Sequence, residues 1–244
     1  MSKPLIIAHR GTATHALENT IAAFSAAIAL QADMIELDVR KTQDQILIVH
    51  HDAHVAEGLI RDLTYAEILA NNPQIPTLEA TLQATSGKIL LDIELKEIGD
   101  EQLVLEQVQQ YFSVDQFVIT SFHTAVVQTI QQLDSRIRTG QLWSSHEALR
   151  LAEVARLHQA AILNAPQIAL LNKPDIWVLH WQLLQLDGWQ QVQHWLPEIW
   201  VWTVNDTALL RSLLQDERIH GIITDRVDIA HPLRGSRSNA LFGM

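Results

Sequence analysis

Four apolar runs in the first 96 residues each lead into a cluster of charged residues and histidines. Short apolar runs bounded by polar residues are typical of strands buried on both faces. Polar groups at the carboxyl ends of consecutive parallel strands collect at one face of the molecule, where they can form a site. The four clusters are His9-Arg10-Gly11, Glu36-Leu37-Asp38, His50-His51-Asp52 and Glu94-Leu95-Lys96.

Strand and helix patterns alternate along the rest of the 244-residue chain. Such alternation predicts a parallel sheet with helices packed on it, and eight steps over about 250 residues indicate a TIM (β/α)8 barrel. Strand six has two candidates, 161–164 and 176–180, and we favour the second because 183–195 then supplies the following helix. The predicted strands are 5–9, 34–39, 89–95, 117–121, 137–142, 176–180, 199–204 and 221–224, and 46–50 is a further extended run.

The predicted helices begin at recognisable capping residues. Asn19 or Thr20 caps a helix that carries Ile21, Phe24 and Ile28, and Thr77 caps one that ends at Gly87. Further helices are predicted at about 101–112, at 125–133 and after Asp206.

We expect one domain over residues 1–231. Neither a Pro/Gly-rich linker nor a change of composition divides it. Residues 232–244 contain Arg, Ser, Asn and Gly and are predicted to form a loosely ordered tail.

Composition excludes several classes of partner. The formal net charge is −11 and Lys plus Arg total only 17, so the chain lacks the basic surface that binds nucleic acid or an anionic membrane. There is no cysteine. The N-terminus has neither a basic region nor a long apolar stretch, so we expect no signal peptide, no stable membrane insertion and a cytoplasmic location. The oligomeric state stays open.

The acidic residues of these clusters predict a metal site. Side chains alternate along a strand, so Glu36 and Asp38 point the same way, and Glu94 can join them at the barrel mouth. Oxygen ligands suit one hard divalent cation, Mg²⁺ or Ca²⁺, better than Zn²⁺. Asp92 shares the face of Glu94 but lies one step deeper.

Two histidines are candidates for acid/base catalysis, because imidazole titrates near neutral pH. His9 and His51 both follow predicted strands. His50 points away from its neighbour His51, and we favour His51. His54 raises a histidine metal cluster as a less favoured alternative. Arg10 and Lys96 are candidate phosphate contacts, with salt bridges to nearby carboxylates as the alternative.

An ordered set of motifs from Leu5 to Asp228 resembles the glycerophosphodiester phosphodiesterases, in their bacterial cytoplasmic form. Each motif is weak alone, and the order and spacing are specific. The motifs are His9-Arg10-Gly11, Glu18-Asn19-Thr20, Glu36-Leu37-Asp38, His51-Asp52, Pro76-Thr77-Leu78-Glu79, Glu94-Leu95-Lys96, Trp202-Thr203-Val204-Asn205 and Gly221-Ile222-Ile223-Thr224-Asp225.

The resemblance implies a metal-dependent barrel that splits glycerophosphodiesters, its small-molecule substrates, into sn-glycerol 3-phosphate and an alcohol. It implies that Glu36, Asp38 and Glu94 hold the metal and that His9 and His51 are the acid/base pair. It also implies that Arg10 and Lys96 contact the phosphate. Phe122 and Trp202 would form an apolar wall around the glycerol and the head group. Glu18 and Asn19 shape the first loop behind these residues.

The chain departs from the family pattern at two places. Leu17 stands where the family usually has proline before Glu-Asn-Thr. After Asp52, a short stretch to Pro76 replaces the usual larger insertion, which predicts only a short lid and leaves head-group selectivity open. Residues 147–173 lack a clear family match.

The sequence leaves other functions open. A lysophospholipase D-like or phosphatidylinositol-phospholipase-C-like enzyme would use a similar barrel and two histidines. A catalytically silent phosphate-binding barrel would lack one acid or histidine, and none of the expected set is missing. A zinc amidohydrolase would need His-x-His after strand one, where this chain has His9-Arg10-Gly11.

Overall fold

Eight parallel strands close into a barrel in the protein's structure, a computed structural model that describes residues 3–144, 173–185 and 198–235. The first strand pairs with both the second and the last, which completes the ring. The predicted (β/α)8 barrel is confirmed. In barrel order the strands are β1 (Leu5–Ala8), β2 (Met34–Lys41), β6 (Leu90–Leu95), β7 (Phe117–Ser121), β8 (Arg138–Trp143), β9 (Ile176–His180), β10 (Ile199–Trp202) and β11 (Gly221–Thr224).

Most predicted strand limits agree with the structure to within two residues. The sixth barrel strand is Ile176–His180, as favoured, while 161–164 lies outside the described residues. Of the predicted helix 183–195, only the start is described, and it belongs to a 3₁₀ helix, Trp181–Gln185. Residues 147–172 also lie outside the described ranges.

Capping side chains set the starts of several helices. Thr20, Thr77 and Asp206 each accept a hydrogen bond from the backbone N–H three residues on, as the N-cap rule requires. The helix predicted over about 101–112 ends at Val108, four residues before its predicted end. The helices are α1 (Ile21–Ala29), α2 (Tyr65–Asn71), α3 (Leu78–Thr85), α4 (Glu101–Val108), α5 (Thr124–Leu133), α6 (Thr207–Leu213) and α7 (Val227–Arg234).

Apolar side chains form two separate layers of core. The larger layer lies between the barrel and the helices, and a smaller one fills the barrel interior. Trp200 is completely buried in this interior. Gly221 stands beside it, where an added Cβ would lie 2.6 Å from the indole Cδ1. This layer closes the barrel below the mouth, so chemistry is confined to the carboxyl ends of the strands.

The insertion at the mouth is short, as the sequence predicts, and it contains secondary structure of its own. Strand β3 (Leu47–Val49) runs antiparallel to the end of β2. A two-stranded ribbon of β4 (His54–Val55) and β5 (Gly58–Leu59), a 3₁₀ turn and helix α2 follow. Its own apolar cluster consists of Ile48, Ile60, Ile68 and Ile75. This cluster fixes the exit of β3, from which His51 extends over the barrel mouth.

A buried ion pair closes the opposite end of the barrel. The Arg234 guanidinium contacts the Asp33 carboxylate and donates to the Pro4 carbonyl at 3.1 Å, while Asp33 accepts from the Ile6 N–H at 2.7 Å. Lys3 Nζ donates to the Arg234 carbonyl at 2.7 Å. Residues 232–234 therefore belong to an anchored helix, and the loosely ordered tail cannot begin at 232. Residues 236–244 lie outside the described residues.

Arg234→Ala should lower the free energy of unfolding by about 3 kcal/mol or more, because it leaves the Asp33 carboxylate without its buried partner. Denaturant unfolding measures this. The matched control is Arg218→Ala at an exposed pair with Asp216, which should change the free energy of unfolding by no more than about 1 kcal/mol. Equal effects of the two substitutions would contradict the anchoring role.

No helix within the described ranges is long and apolar enough to cross a bilayer. The cytoplasmic location stays a prediction.

Candidate active site

Three carboxylates meet at the barrel mouth. Glu36 and Asp38 point inward from β2 and Glu94 from β6, with Asp38 in register with Glu94. One oxygen from each of the three lies within 4.8 Å of the others, and all three side chains are buried. This is the set that the sequence predicts as metal ligands.

The cluster carries more negative charge than its buried surroundings can easily hold. Burial, together with Asp38 and Glu94, raises the pKa of Glu36 well above its ordinary value. Burial also raises the pKa of Glu94, to about 7, despite the neighbouring Lys96. For Asp38, burial acts in the same direction, but Lys96 and Arg10 outweigh it and lower the pKa to about 2. A cation beside these oxygens would relieve the repulsion.

Lys96 and Arg10 flank the carboxylates. Lys96 Nζ lies 2.7 Å from Glu94 Oε1 and 2.9 Å from Asp38 Oδ1. Arg10 Nε lies 3.3 Å from Asp38 Oδ2, and Arg10 Nη1 donates to Glu18 at 2.9 Å. Burial opposes the charge of each, but the carboxylates outweigh it and raise both pKa values, so both groups stay cationic. The salt bridges considered from sequence are present, and they hold these cations where an anion could reach them.

The loop between β1 and α1 has the backbone shape that this arrangement needs. Arg10, Gly11 and Asn19 all have positive φ, and a Cβ on Gly11 would lie 2.6 Å from the Ala23 Cβ of α1. The loop aims the Arg10 N–H at Glu36, at 2.9 Å. Asn19 Nδ2 donates to Asp38 Oδ2 at 2.7 Å, so Asn19 orients a cluster carboxylate while Thr20 caps the helix.

His9 is oriented by two residues that received no role from sequence. Its Nδ1 lies 2.8 Å from the Asp225 carboxylate, which follows β11. Asn205 Nδ2 donates to the other Asp225 oxygen at 2.6 Å, and Asn205 Oδ1 accepts from the Asp225 N–H. A carboxylate on Nδ1 fixes the ring orientation and leaves Nε2 toward the mouth. The position of Asp225, directly after a strand, was the signal that could have found it.

His51 reaches the mouth from the exit of β3. The His51 Nδ1 lies 2.8 Å from the Asp52 carboxylate. Arg40 donates two hydrogen bonds to the backbone carbonyl of His51, at 2.8 and 2.7 Å. Arg40 is held in turn by Glu97. Burial and the nearby Lys96 lower the pKa of His51. A neutral imidazole able to accept a proton is therefore favoured.

We expect His51 to titrate below the ordinary histidine value of 6.5, because burial and Lys96 disfavour its charged form. Asp52 raises this pKa through its hydrogen bond, so Asp52→Asn should lower it further. The ring Hε1 shift followed by NMR against pH measures both, with the resonance assigned from His51→Ala. A His51 pKa above 6.5, or a rise on Asp52→Asn, would contradict this electrostatic account.

An aromatic wall faces the carboxylates across the mouth. Phe122 and Trp202 meet edge to face with centroids 5.6 Å apart, and Trp202 meets His180 edge to face at 5.2 Å. Phe122 also lines a cavity of about 170 Å³ with His51, Glu94 and Lys96. His180, at the end of β9, was not singled out from sequence.

Asp92 lies below the carboxylate cluster and does not join it. Its Oδ1 accepts from the Thr120 hydroxyl at 2.7 Å, and burial raises its pKa to about 8. It is an interior acid held through one oxygen, while its Oδ2 is buried without a hydrogen-bond partner among the described residues.

The donor set fits a hard divalent cation. The three cluster oxygens are anionic and buried, and Asn19 and the Arg10 N–H hold two of the carboxylates in place. His54 is exposed, and the histidine cluster considered from sequence is not among the groups of possible ligands found in the described ranges.

Comparison with known proteins identifies the family. Residues 9–229 match the glycerophosphoryl diester phosphodiesterase family. The chain is 39% identical to YhdW of Bacillus subtilis over 155 residues, which are 55% of this chain and 63% of that protein. It is 33% identical to the glycerophosphodiester phosphodiesterase of Caldanaerobacter subterraneus over 184 residues, which are 64% of this chain and 75% of that one. The chain thus spans less than two thirds of the length of one of these relatives and three quarters of the other.

A solved structure shares the fold. An Oleispira antarctica phosphodiesterase, in complex with the product sn-glycerol-3-phosphate, aligns with a TM-score of 0.75 and 21% identity, covering 95% of this chain and 96% of that one. The fold of the solved structure and the family match over residues 9–229 agree. The chain belongs to the glycerophosphoryl diester phosphodiesterase family, as its motifs predict.

Proposed function

We propose that this protein hydrolyses small glycerophosphodiesters to sn-glycerol 3-phosphate and an alcohol, with the help of one divalent cation. One observation carries the proposal: three buried carboxylates, two paired cations and two imidazoles that each have a carboxylate partner share one barrel mouth. The product bound to the Oleispira antarctica phosphodiesterase supports a substrate of this class.

The cation-binding residues in this proposal are Glu36, Asp38 and Glu94. Mg²⁺ or Ca²⁺ suits this set of oxygens. When bound, the cation supplies Lewis-acid stabilisation of the negative charge that grows on a phosphoryl oxygen. Arg10 and Lys96 contact the other phosphoryl oxygens. Both are cationic and already positioned by Asp38, so their charges need little reorganisation during the reaction.

His9 and His51 transfer the protons. One imidazole accepts a proton from the glycerol 2-hydroxyl, whose oxygen then bonds to phosphorus. The bond between phosphorus and the head-group oxygen breaks, and the other imidazole protonates the departing alcohol. Water then adds to phosphorus and opens the five-membered cyclic phosphate with the roles reversed, which restores both histidines. The pairs His9–Asp225 and His51–Asp52 keep each ring oriented through this exchange.

Phe122 and Trp202 form the apolar side of the substrate site in this proposal. Their edge-to-face contact fixes both rings, and Trp202 Nε1 is held by the Val178 carbonyl at 3.2 Å. They cover the carbon skeleton of the bound diester while its phosphate faces the charged side. Glu18 and Asn19 lie behind this surface, where Glu18 accepts a hydrogen bond from Arg10 and Asn19 donates one to Asp38.

A coupled assay for glycerol 3-phosphate tests the proposal. Glycerophosphocholine, glycerophosphoethanolamine and glycerophosphoglycerol are each offered with Mg²⁺ or with Ca²⁺. Release from at least one of them, abolished by chelation and restored by the cation, is the expected result. No release from any of them would favour a catalytically silent phosphate-binding barrel. Full activity after exhaustive chelation would remove the cation from the proposal.

A further inference from the structure

The two imidazoles of the candidate active site are held in different ways. Asp225, the Nδ1 partner of His9, is itself fixed by two hydrogen bonds with Asn205. Asp52, the Nδ1 partner of His51, has 74% of its side chain exposed. An exposed carboxylate on the neighbouring residue can set the rotation of the His51 ring, but it does not fix the point of the backbone from which that ring extends.

The chain leaves the sheet just before His51. The pairing of β2 with β3 ends at Val49, and beyond it the His50 N–H donates to the Asp38 carbonyl at 3.0 Å. His51 itself belongs to no strand. Residues 51–54 are half-buried or exposed, and none of them belongs to the apolar cluster of the insertion. Apolar packing therefore does little to fix this segment.

Arg40 holds the backbone of His51 from the barrel side. Glu36, Asp38 and Arg40 share one face of β2, because side chains alternate along a strand. Arg40 Nε and Nη2 both donate to the His51 carbonyl, at 2.8 and 2.7 Å, and a carbonyl oxygen can accept two hydrogen bonds. The Arg40 side chain is only 11% exposed. The strand that carries two of the cluster carboxylates therefore also holds the residue that bears the imidazole.

Glu97 fixes the Arg40 guanidinium in turn. It lies two residues after the end of β6, and its Oε1 accepts a hydrogen bond from Arg40 Nη1 at 2.7 Å. The three hydrogen bonds of this guanidinium connect β2, the end of β6 and the exit of β3. They depend on the planar fork of donors that arginine has, which the compact ammonium of a lysine does not reproduce.

We propose that Arg40 is a positioning residue for His51 and that Glu97 fixes Arg40 in this role. The inference rests on the proposed function, in which His51 transfers a proton. Arg40 acts through the His51 backbone, by its fork of donors rather than by its positive charge. Because misplacing a catalytic group by about 1 Å can cost about 10²-fold in rate, the loss of these hydrogen bonds should lower kcat and leave KM little changed.

Arg40→Ala and Arg40→Lys test the proposal with glycerophosphocholine in the coupled assay. The first removes the fork and the charge, and the second removes the fork alone. We expect kcat to fall by about 10- to 100-fold in both variants, with KM close to that of the wild type. Arg40→Lys keeps the charge that balances Glu97, so it also provides the test if Arg40→Ala does not fold.

Lys41→Ala is the matched control. Lys41 is the next residue of β2, and its Nζ pairs with Asp100 Oδ1 at 2.6 Å, as Arg40 pairs with Glu97. Alternation along the strand turns Lys41 to the other face, away from the carboxylates. This variant therefore loses a comparable ion pair at the same strand end without releasing His51, and its kcat should stay close to that of the wild type.

A second measurement does not depend on turnover. The ring Hε1 resonances of His51 and His9 are assigned by NMR from the two alanine variants. The His51 resonance should move in Arg40→Ala and in Arg40→Lys and stay in place in Lys41→Ala. The His9 resonance should stay in place in all three variants, because separate residues hold that ring. Movement of both resonances would indicate a general loss of structure at the mouth and would overturn the positioning role.

The outcomes separate this proposal from the proposed function. If the wild type releases no glycerol 3-phosphate, the proposed function fails and the His51 resonance alone decides whether Arg40 positions this residue. If the wild type is active and Arg40→Ala has the same kcat, the proposed function stands and the positioning role is overturned. Full activity in Arg40→Lys would show that the charge matters rather than the fork. Equal losses in Arg40→Ala and Lys41→Ala would show a general loosening of the strand end, and either result would also overturn the proposal.

Discussion

His51→Ala should lower kcat by about 10²- to 10⁴-fold, the usual contribution of a general acid or base. His51 sits over the carboxylate cluster, beside Lys96, with Asp52 holding its Nδ1. His9→Ala should cost a similar factor, because Asp225 and Asn205 hold that ring in place from the other side of the mouth. Steady-state kinetics with glycerophosphocholine measures both losses.

His50→Ala is the matched control for the first substitution. His50 is the neighbour of His51, half-buried like it, and is absent from the lining of the cavity that His51 shares with Glu94 and Lys96. His15→Ala serves the same purpose for His9, since His15 is exposed in the following loop. We expect both controls to stay within a few-fold of wild type. Near-normal turnover in His9→Ala and His51→Ala would remove the acid/base pair from the proposed mechanism.

Glu36→Gln should have opposite effects on cation binding and on the stability of the ion-free protein. It removes one anionic ligand, which should weaken Ca²⁺ binding by roughly 10²-fold, since losing one partner of a buried charge pair costs about 3 kcal/mol or more. It also removes a charge that burial and the like charges of Asp38 and Glu94 both disfavour, which together raise the pKa of Glu36. The ion-free variant should therefore melt a few degrees higher, because ~1 kcal/mol is about 2–4 °C for a protein of this size.

Calorimetric titration with Ca²⁺ and thermal unfolding with and without the ion measure these two effects. The wild-type Tm should rise with Ca²⁺ concentration by mass action, and that of Glu36→Gln should respond far less. Glu97→Gln is the control, because Glu97 pairs with Arg40 at the rim and lies outside the cluster. If Glu36→Gln lowers the ion-free Tm and leaves Ca²⁺ affinity unchanged, the cluster is structural and the cation proposal fails.

The barrel and the positions of its charged groups could be predicted because both depend on local patterns. Apolar runs such as 117–121 and 221–224 coincide with strands, and the two-residue period of a strand places Glu36 beside Asp38. Thr77 and Asp206 mark helix starts because each side chain accepts a hydrogen bond from a backbone N–H only three residues further along the chain. Each of these signals is contained within a few residues of sequence.

The partners of the site residues could not be predicted in the same way, because they come from distant parts of the chain. Asp225 reaches His9 across 216 positions, and its place directly after a strand indicates the barrel mouth without specifying which residue it contacts there. The positive φ of Asn19, which turns its amide to Asp38, depends on how the loop packs against α1. Arg234 lies in a polar stretch that predicts a loose tail, yet pairing with Asp33 buries it.

The ³¹P NMR spectrum of glycerophosphocholine incubated with the protein and Mg²⁺ or Ca²⁺ tests the central claim most directly, because it shows which bond to phosphorus breaks. The account predicts that the diester resonance gives way to that of sn-glycerol 3-phosphate, with a transient cyclic phosphate, and that His51→Ala shows little conversion under the same conditions. Appearance of choline phosphate, or an unchanged diester resonance with either cation, would contradict it.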